Sequence, residues 1–332
     1  MGHFENSTMN KTFDTPCGEA VCLSSGVLTM METITIILCI AGIMGNLLTV
    51  FAIVTSPLKM NINSILIGNL SSADVLYCAM VLPFQAAAYH VNGWPLSDVM
   101  CMLHAAARLW LIGVNMMLLS AIALYRCLHI THIQSYHRFT TRVPFISVIA
   151  LCWIFPLGFV ITPLAGLWGS FSFQEMILRC TFTQNAEKSH KITVITLGYV
   201  IPCLFILICY ARIGSVAYRT RKRVSRASIY RKQKAQRQSL RLTGMMLCIY
   251  CGFLFGTTPY FLTNLFDPKY KQPIAHLFAP FLAWLLYCVN PIIYTLMDKN
   301  FQNAYKRLLM MEVCKQDSPR EDVDHETSYA HR

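Results

Sequence analysis

Three ionisable residues stand out inside long apolar stretches of this sequence: Asp74, Arg108 and Arg126. A charge at bilayer depth costs about 2.5–3.5 kcal/mol on insertion scales, so such residues are candidates for function. Arg108 and Arg126 lie 18 residues apart, which is about five turns of an α-helix, and they share one helix face. Asn115 falls within about 20° of both, and His104 lies one turn above Arg108. A stripe of His104, Arg108, Asn115 and Arg126 cannot face lipid and must look into a bundle. From Cys101 to Arg126 a helix rises about 37 Å, more than a hydrocarbon core of about 30 Å, so Arg126 reaches one boundary. Arg108 lies about 10 Å below the other end. A cation near an interface can also snorkel outward, but the face shared with Asn115 argues for an inward guanidinium. There it suits bidentate capture of a carboxylate or phosphate. Arg108, His104, Gln85 and His276 form the candidate ligand-binding set.

The elements that must position these residues follow from composition. Apolar residues make up 55% of the chain and charged ones 13%, against about 25% charged in a typical soluble domain. The excess lies in segments long enough to cross a membrane: 33–56, 64–90, 98–131, 143–164, 190–218, 239–266 and 273–297, followed by an amphipathic stretch from Asp298 to about Met311. The expected fold is all-α, an integral membrane bundle of seven transmembrane helices with a short amphipathic eighth helix. The expected division is an extracellular segment at 1–32, the helical domain at 33–311 and a disordered cytoplasmic tail at 312–332. Prolines at 83, 156, 163, 202, 259, 280 and 291 would break soluble helices but are tolerated in bundled membrane ones.

Charge sets the orientation. The net charge is +12, and between Arg212 and Thr243 there are eleven Lys or Arg and no acid. Such a loop is held on the cytoplasmic side, which explains the charge without nucleic acid. Lys59, Arg138 and Arg142 fall in the other inner loops, and the N-terminus is then extracellular. No cleavable signal peptide is visible. Two sequons, at Asn6 and Asn10, are glycosylation acceptors on that side, whereas a third match at Asn69 lies inside an apolar segment. Of 14 cysteines, Cys17, Cys22, Cys101 and Cys180 fall on the outer side. The oxidising exterior favours a bridge between Cys101 and Cys180, with Cys17–Cys22 as a second candidate. Cys314 is a candidate palmitoylation site. A secondary transporter is the first rival, but no repeat of broken helices is visible. A membrane enzyme is the second. His129, His132 and His137 are too few for a membrane di-metal centre, and neither a nucleophile with its base nor a phosphate-binding glycine loop is found.

Motifs along nearly the whole chain resemble the rhodopsin-like G-protein-coupled receptors. They are Gly45-Asn46, LSSAD ending in Asp74, the Cys101–Cys180 pair, Trp153, Pro202 with Tyr210, and Asn290-Pro291-Ile292-Ile293-Tyr294 followed by Phe301. The resemblance implies a multi-pass receptor of the plasma membrane that answers a small-molecule or lipid ligand and activates a heterotrimeric G protein, with arrestin as a further partner. It implies that Asp74, Asn46, Asn115 and Asn290 line a polar pocket that holds water and can take sodium. It also implies that Arg126, Tyr210, Tyr294 and Pro259 serve activation and coupling. No enzymatic activity and no other cofactor are expected. A transporter or a non-coupling receptor-like protein is the alternative.

The departures from the pattern are informative. Tyr125-Arg126-Cys127 leaves Arg126 without its usual adjacent carboxylate, and Ser239 stands where an acid often opens the sixth helix. Gly256-Thr257-Thr258-Pro259 lacks the usual tryptophan. Weaker restraint of the resting state, and so basal signalling, is expected. ALYRCLHITH and ITPLAGLWG resemble the group containing the insect receptors trapped-in-endoderm and moody, with melatonin and medium-chain fatty-acid receptors as relatives. Arg108 occupies the position of the aminergic aspartate, and the seventh segment has no lysine for a retinal Schiff base. The expected ligand is therefore an anion, lipid-derived. Arg221–Ser225 resembles a basophilic kinase site, and Ser318, Thr327 and Ser328 could serve arrestin recruitment.

Overall fold

A computed structural model describes residues 23–183, 188–223, 229–267 and 270–310, without the side chains of 220–223 and 229–240. Asn6, Asn10, Cys17, Cys22, Cys314, Ser225 and the acidic tail lie outside the described residues, as does the side chain of Ser239.

Among the described residues, seven helices are long and apolar enough to cross a membrane: Ser25–Thr55, Ile62–His90, Asp98–Thr131, Arg142–Leu164, Lys188–Arg219, Arg241–Phe266 and Pro273–Met297. The first begins earlier than the expected residue 33. Ser24 caps it, its hydroxyl accepting the Val27 amide at 3.4 Å, which satisfies one of the free donors of the first turn. Glu32, whose charge hides this extension from a hydropathy reading, reaches His90 Nδ1 at 3.1 Å near the end of the second helix.

The third helix is the central post. Its 34 residues span about 51 Å. Ser97 caps it, accepting the Met100 amide at 3.4 Å, and Asp98 in the first turn favours the positive end of the helix dipole. Gly113 lets the fourth helix approach, since a Cβ there would stand 2.7 Å from the ring of Pro156. The fourth helix is tied to it by Trp110 Nε1–H donating to the Trp153 carbonyl at 2.9 Å, and Trp153 Nε1–H donates onward to Asn69 Oδ1 at 3.2 Å. The Asn69 sequon is thus spent on helix packing.

Prolines leave local marks. The second helix is interrupted at Val81 before Pro83, and the fourth passes through a 3₁₀ turn at Phe155–Leu157 around Pro156. The fifth carries a π-turn at Thr196–Val200, just before Pro202. The eighth helix, Lys299–Leu309, is capped by Asp298, which accepts the Asn300 amide at 2.8 Å. Its Phe301, Ala304 and Tyr305 are buried against the bundle. Outward-facing Ile37, Met44, Val54, Ile146 and Ile208 are exposed, as a lipid-facing surface requires.

One element has no counterpart in the sequence reading. The loop after the fourth helix folds into an antiparallel hairpin, Phe171–Gln174 paired with Arg179–Phe182, with Phe173 opposite Cys180. Cys180 is bridged to Cys101, so the hairpin lies over the outer end of the bundle.

Candidate functional site

The polar stripe of the third helix is buried along its length: His104, Arg108, Asn115 and Arg126 are all 6% exposed or less. It passes through three compartments.

The outer compartment is roofed by the hairpin. Arg108 donates to the Cys180 carbonyl at 2.7 Å, so its guanidinium turns inward and does not snorkel. His104 Nε2–H donates to the Val81 carbonyl at 3.1 Å, at the break in the second helix. That bond leaves Nδ1 as an acceptor, buried and without a partner. Gln85 is fully buried and holds the roof, its amide donating to the Leu178 carbonyl at 2.9 Å. Leu178 adopts a left-handed conformation, φ 47°, costing about 1–2 kcal/mol for a residue with a Cβ. This turn aims the next side chain, Arg179, down into the bundle, where it donates to the His276 carbonyl at 3.1 Å. The His276 ring is held in turn by the Asp267 carbonyl at 3.1 Å. Asp267 accepts the Lys271 and Gln272 amides at 2.9 and 2.7 Å, and its carboxylate lies 3.4 Å from His276 Nε2. Partial burial works to raise the Asp267 carboxyl, but those amides and His276 outweigh it and hold it below the usual carboxylate value. Below the roof, Trp284 Nε1–H donates to the Tyr77 hydroxyl at 3.0 Å, and the Tyr77 and Tyr287 rings stand 4.4 Å apart.

The middle compartment gathers the carboxylate and the asparagines. Asn290 donates to Asp74 Oδ2 at 2.9 Å. Asn46 ties the first helix to the seventh through the Tyr287 carbonyl at 2.7 Å. Asp74, Asn115, Tyr287 and Asn290 line a cavity of about 10 Å³, room for about one water. Asp74 Oδ1, Asn46 Oδ1 and both polar atoms of the Asn115 amide are buried without a protein partner. Asn46 and Asp74 are brought together with Asn115 and Asn290 in this central region, with Asn46 set back against the seventh helix.

At the inner end Arg126 is 2% exposed, with Nε and one Nη unpartnered. It makes no ion pair among the described residues. Tyr136, Tyr210 and Asp298 are the groups around it that can carry negative charge. Tyr125 turns away and donates to the Phe139 carbonyl at 3.1 Å. Tyr294 is fully buried against Phe301, ring centroids 5.5 Å apart, and Tyr210 stacks on Tyr250. In the sixth helix, about two turns beyond Tyr250, Thr258 shares a 2.7 Å hydrogen bond with the Tyr199 hydroxyl in the π-turn of the fifth. Thr257 bonds the same hydroxyl at 3.4 Å. Pro259 follows within the same helix. Gly256 brings the seventh helix close: a Cβ there would meet the Leu282 carbonyl at 2.8 Å.

Sequence reasoning missed Arg179, Tyr77, Tyr89 and Trp284. Arg179 had one readable signal, since it precedes Cys180 and a bridge to the third helix carries it inward. Trp284 shares the seventh-helix stripe of His276, Pro280, Tyr287, Pro291 and Tyr294, all buried.

Comparison with known proteins agrees with this arrangement. The chain is 28% identical to the G-protein coupled receptor moody of Drosophila melanogaster, covering 90% of this chain and 53% of moody. It thus spans about half the length of the moody proteins it matches. It is 24% identical to protein trapped in endoderm-1 of Drosophila melanogaster, over 93% of this chain and 84% of that protein. To melatonin receptor type 1A of Phodopus sungorus it is 26% identical, over 86% and 82%. The crystal structure of squid rhodopsin superposes with a TM-score of 0.75 over 93% of both chains at 19% identity, a likeness of fold. Residues 45–294 match the family described as 7 transmembrane receptor (rhodopsin family). With the motif residues in their places along a seven-helix bundle, the chain belongs to the rhodopsin family of seven-transmembrane receptors, a family of receptors and not of enzymes.

Proposed function

We propose that this receptor converts binding of an anionic, lipid-derived ligand beneath its hairpin roof into activation of a heterotrimeric G protein at its inner end. The observation that carries the reading is a single helix bearing near each end a buried arginine with no ion pair among the described residues, Arg108 outside and Arg126 inside. A buried guanidinium without a carboxylate is costly and is relieved by an anion that reaches it. Arg108, His104, Gln85 and His276 border the ligand, Gln85 and His276 by holding the loops that enclose it. The N-terminus is extracellular in the plasma membrane, because the basic stretch between the fifth and sixth spans belongs inside.

In the middle compartment, Asp74 Oδ1 and the Asn115 carbonyl oxygen are oxygen donors without partners, a set that suits a hard monovalent cation such as sodium. Asn290 would orient Asp74 through its hydrogen bond, and Asn46 would hold the first helix against the seventh beside them. On the inner side, Arg126, Tyr210 and Tyr294 rearrange as the sixth helix pivots at Pro259, opening a cleft for the G protein. Arrestin would engage the same face through the phosphorylated tail.

The test is G-protein dissociation in cells expressing the wild type and Arg126→Ala at matched surface levels. With no carboxylate next to Arg126 in the sequence and no ion pair to it among the described residues, the wild type is expected to signal without ligand and the variant to lose that output. Wild-type output no higher than that of empty cells would remove the case for weak restraint. Equal output from both would remove Arg126 from the coupling machinery.

A further inference from the structure

The hairpin roof contributes a second cation to the outer compartment. Arg179 is 2% exposed, gives one hydrogen bond to the His276 carbonyl, and has an unpartnered Nε. Arg108 gives one bond to the Cys180 carbonyl. Each guanidinium carries five N–H donors, so most of this capacity is unspent. Among the described residues neither arginine has a carboxylate within 4.0 Å. The two meet at one strand of the roof: Arg108 bonds the carbonyl of Cys180, the residue that follows Arg179, and Tyr77, Tyr89, Tyr270 and His104 each lie in the field of both. The Tyr89 hydroxyl is buried there beside Arg179 and Gln85. The acid at the rim, Asp267, is committed to the Lys271 and Gln272 amides and to His276.

Two buried cations facing one space repel each other and remain uncompensated until an anion enters. A carboxylate brings one negative charge. A phosphate monoester brings close to two at neutral pH, with three acceptor oxygens. Two guanidinium forks and a phenol hydroxyl can donate to all three. Resting on the reading of the outer compartment as an anion site, we propose that Arg108 and Arg179 form a two-arginine clamp whose ligand carries a doubly negative oxyanion head, a phosphate monoester. One arm of the clamp belongs to the third helix and the other to the roof. Leu178 and Gln85 act as positioning residues, holding the turn that aims Arg179 inward. Binding therefore fastens the hairpin to the helix that carries Arg126.

Four probes separate the terms: lysophosphatidic acid, glycerophosphate, oleic acid and monoolein. Each is added to the full-length receptor, with thermal stability of the purified protein and G-protein dissociation in cells as readouts. Lysophosphatidic acid is expected to raise the melting temperature and change signalling, and Arg179→Gln to weaken its apparent affinity about tenfold or more. Activity of lysophosphatidic acid alone assigns the phosphate to a lipid headgroup, and activity of glycerophosphate as well assigns it to phosphate esters at large. Should Arg179→Gln not reach the surface, Arg179→Lys keeps the charge but loses the fork. It is expected to bind several-fold more weakly than wild type. Oleic acid acting as strongly as lysophosphatidic acid, with Arg179→Lys and Arg179→Gln unchanged, overturns the two-charge clamp and leaves the anionic reading standing. Monoolein acting as well as the acids overturns the anionic reading itself. No melting shift and no response with either phosphate probe overturns the clamp.

Discussion

At the scale of single residues, the consequences lie where a polar atom has one partner and no water to replace it. Tyr77 accepts the buried Trp284 Nε1–H. Tyr77→Phe should leave that donor unsatisfied and lower stability by about 1–3 kcal/mol, read as a drop in melting temperature of the purified receptor. Trp284→Phe in the Tyr77→Phe background should cost less than Trp284→Phe in the wild type, the signature of a pair that shares one bond. Asp267 makes a prediction in pH. Its folded carboxyl titrates below the ordinary value, about 3.9. The loop stability it contributes is then fully present above that value and is lost as pH falls through the lower folded one. Hydrogen exchange at the Lys271 and Gln272 amides, relative to intrinsic rates, should rise in that acid window. Asp267→Asn should show the raised exchange at neutral pH. Protection unchanged in the variant would mean that the backbone, not the carboxylate, holds the loop.

At the scale of elements, contact between the sixth and seventh helices depends on Gly256. A methyl group there would meet Leu286 and the Leu282 carbonyl, and a backbone atom cannot move aside as a side-chain tip can. Gly256→Ala should destabilise by about 1–3 kcal/mol through overpacking, measured by thermal unfolding, and should bias the sixth helix outward. A rise in basal signalling at equal surface expression checks the second effect, and an unchanged melting temperature would count against both. The position of Gly256 was readable, but its meaning was not. As a departure from the family pattern, Gly256-Thr257-Thr258-Pro259 reads as the loss of a tryptophan. The structure shows what stands there: two threonines hydrogen-bonded to Tyr199 in the π-turn of the fifth helix, beside a seventh helix that brings in its own buried tryptophan.

At the scale of the whole molecule, one covalent bond joins the roof to the central helix. Cys101 and Cys180 are 79 residues apart, and closing so long a loop removes much entropy from the unfolded chain. Cys101→Ser should cost about 2–5 kcal/mol, lower the amount of receptor at the surface, and free the Cys180 carbonyl from Arg108. Thermal unfolding with and without reductant checks the first effect, since the variant should no longer respond to reduction of this bridge.

What the sequence determined by itself was the local part. The seven spans found among the described residues, their approximate ends and the inward face of the third helix all follow from hydropathy over about 20 residues and a 3.6-residue period. These need no knowledge of which helix packs on which. Only the tertiary structure decided what meets in the outer compartment. Gln85 finds Leu178 across 93 residues and Arg179 finds His276 across 97. Such pairings depend on a hairpin whose four-residue strands carry too weak a pattern to be read. Arg179 is a loop arginine beside a cysteine in the sequence and a buried cation bonded to the seventh helix in the fold. The difference is made by the bridge that pulls it in and the left-handed turn that points it down.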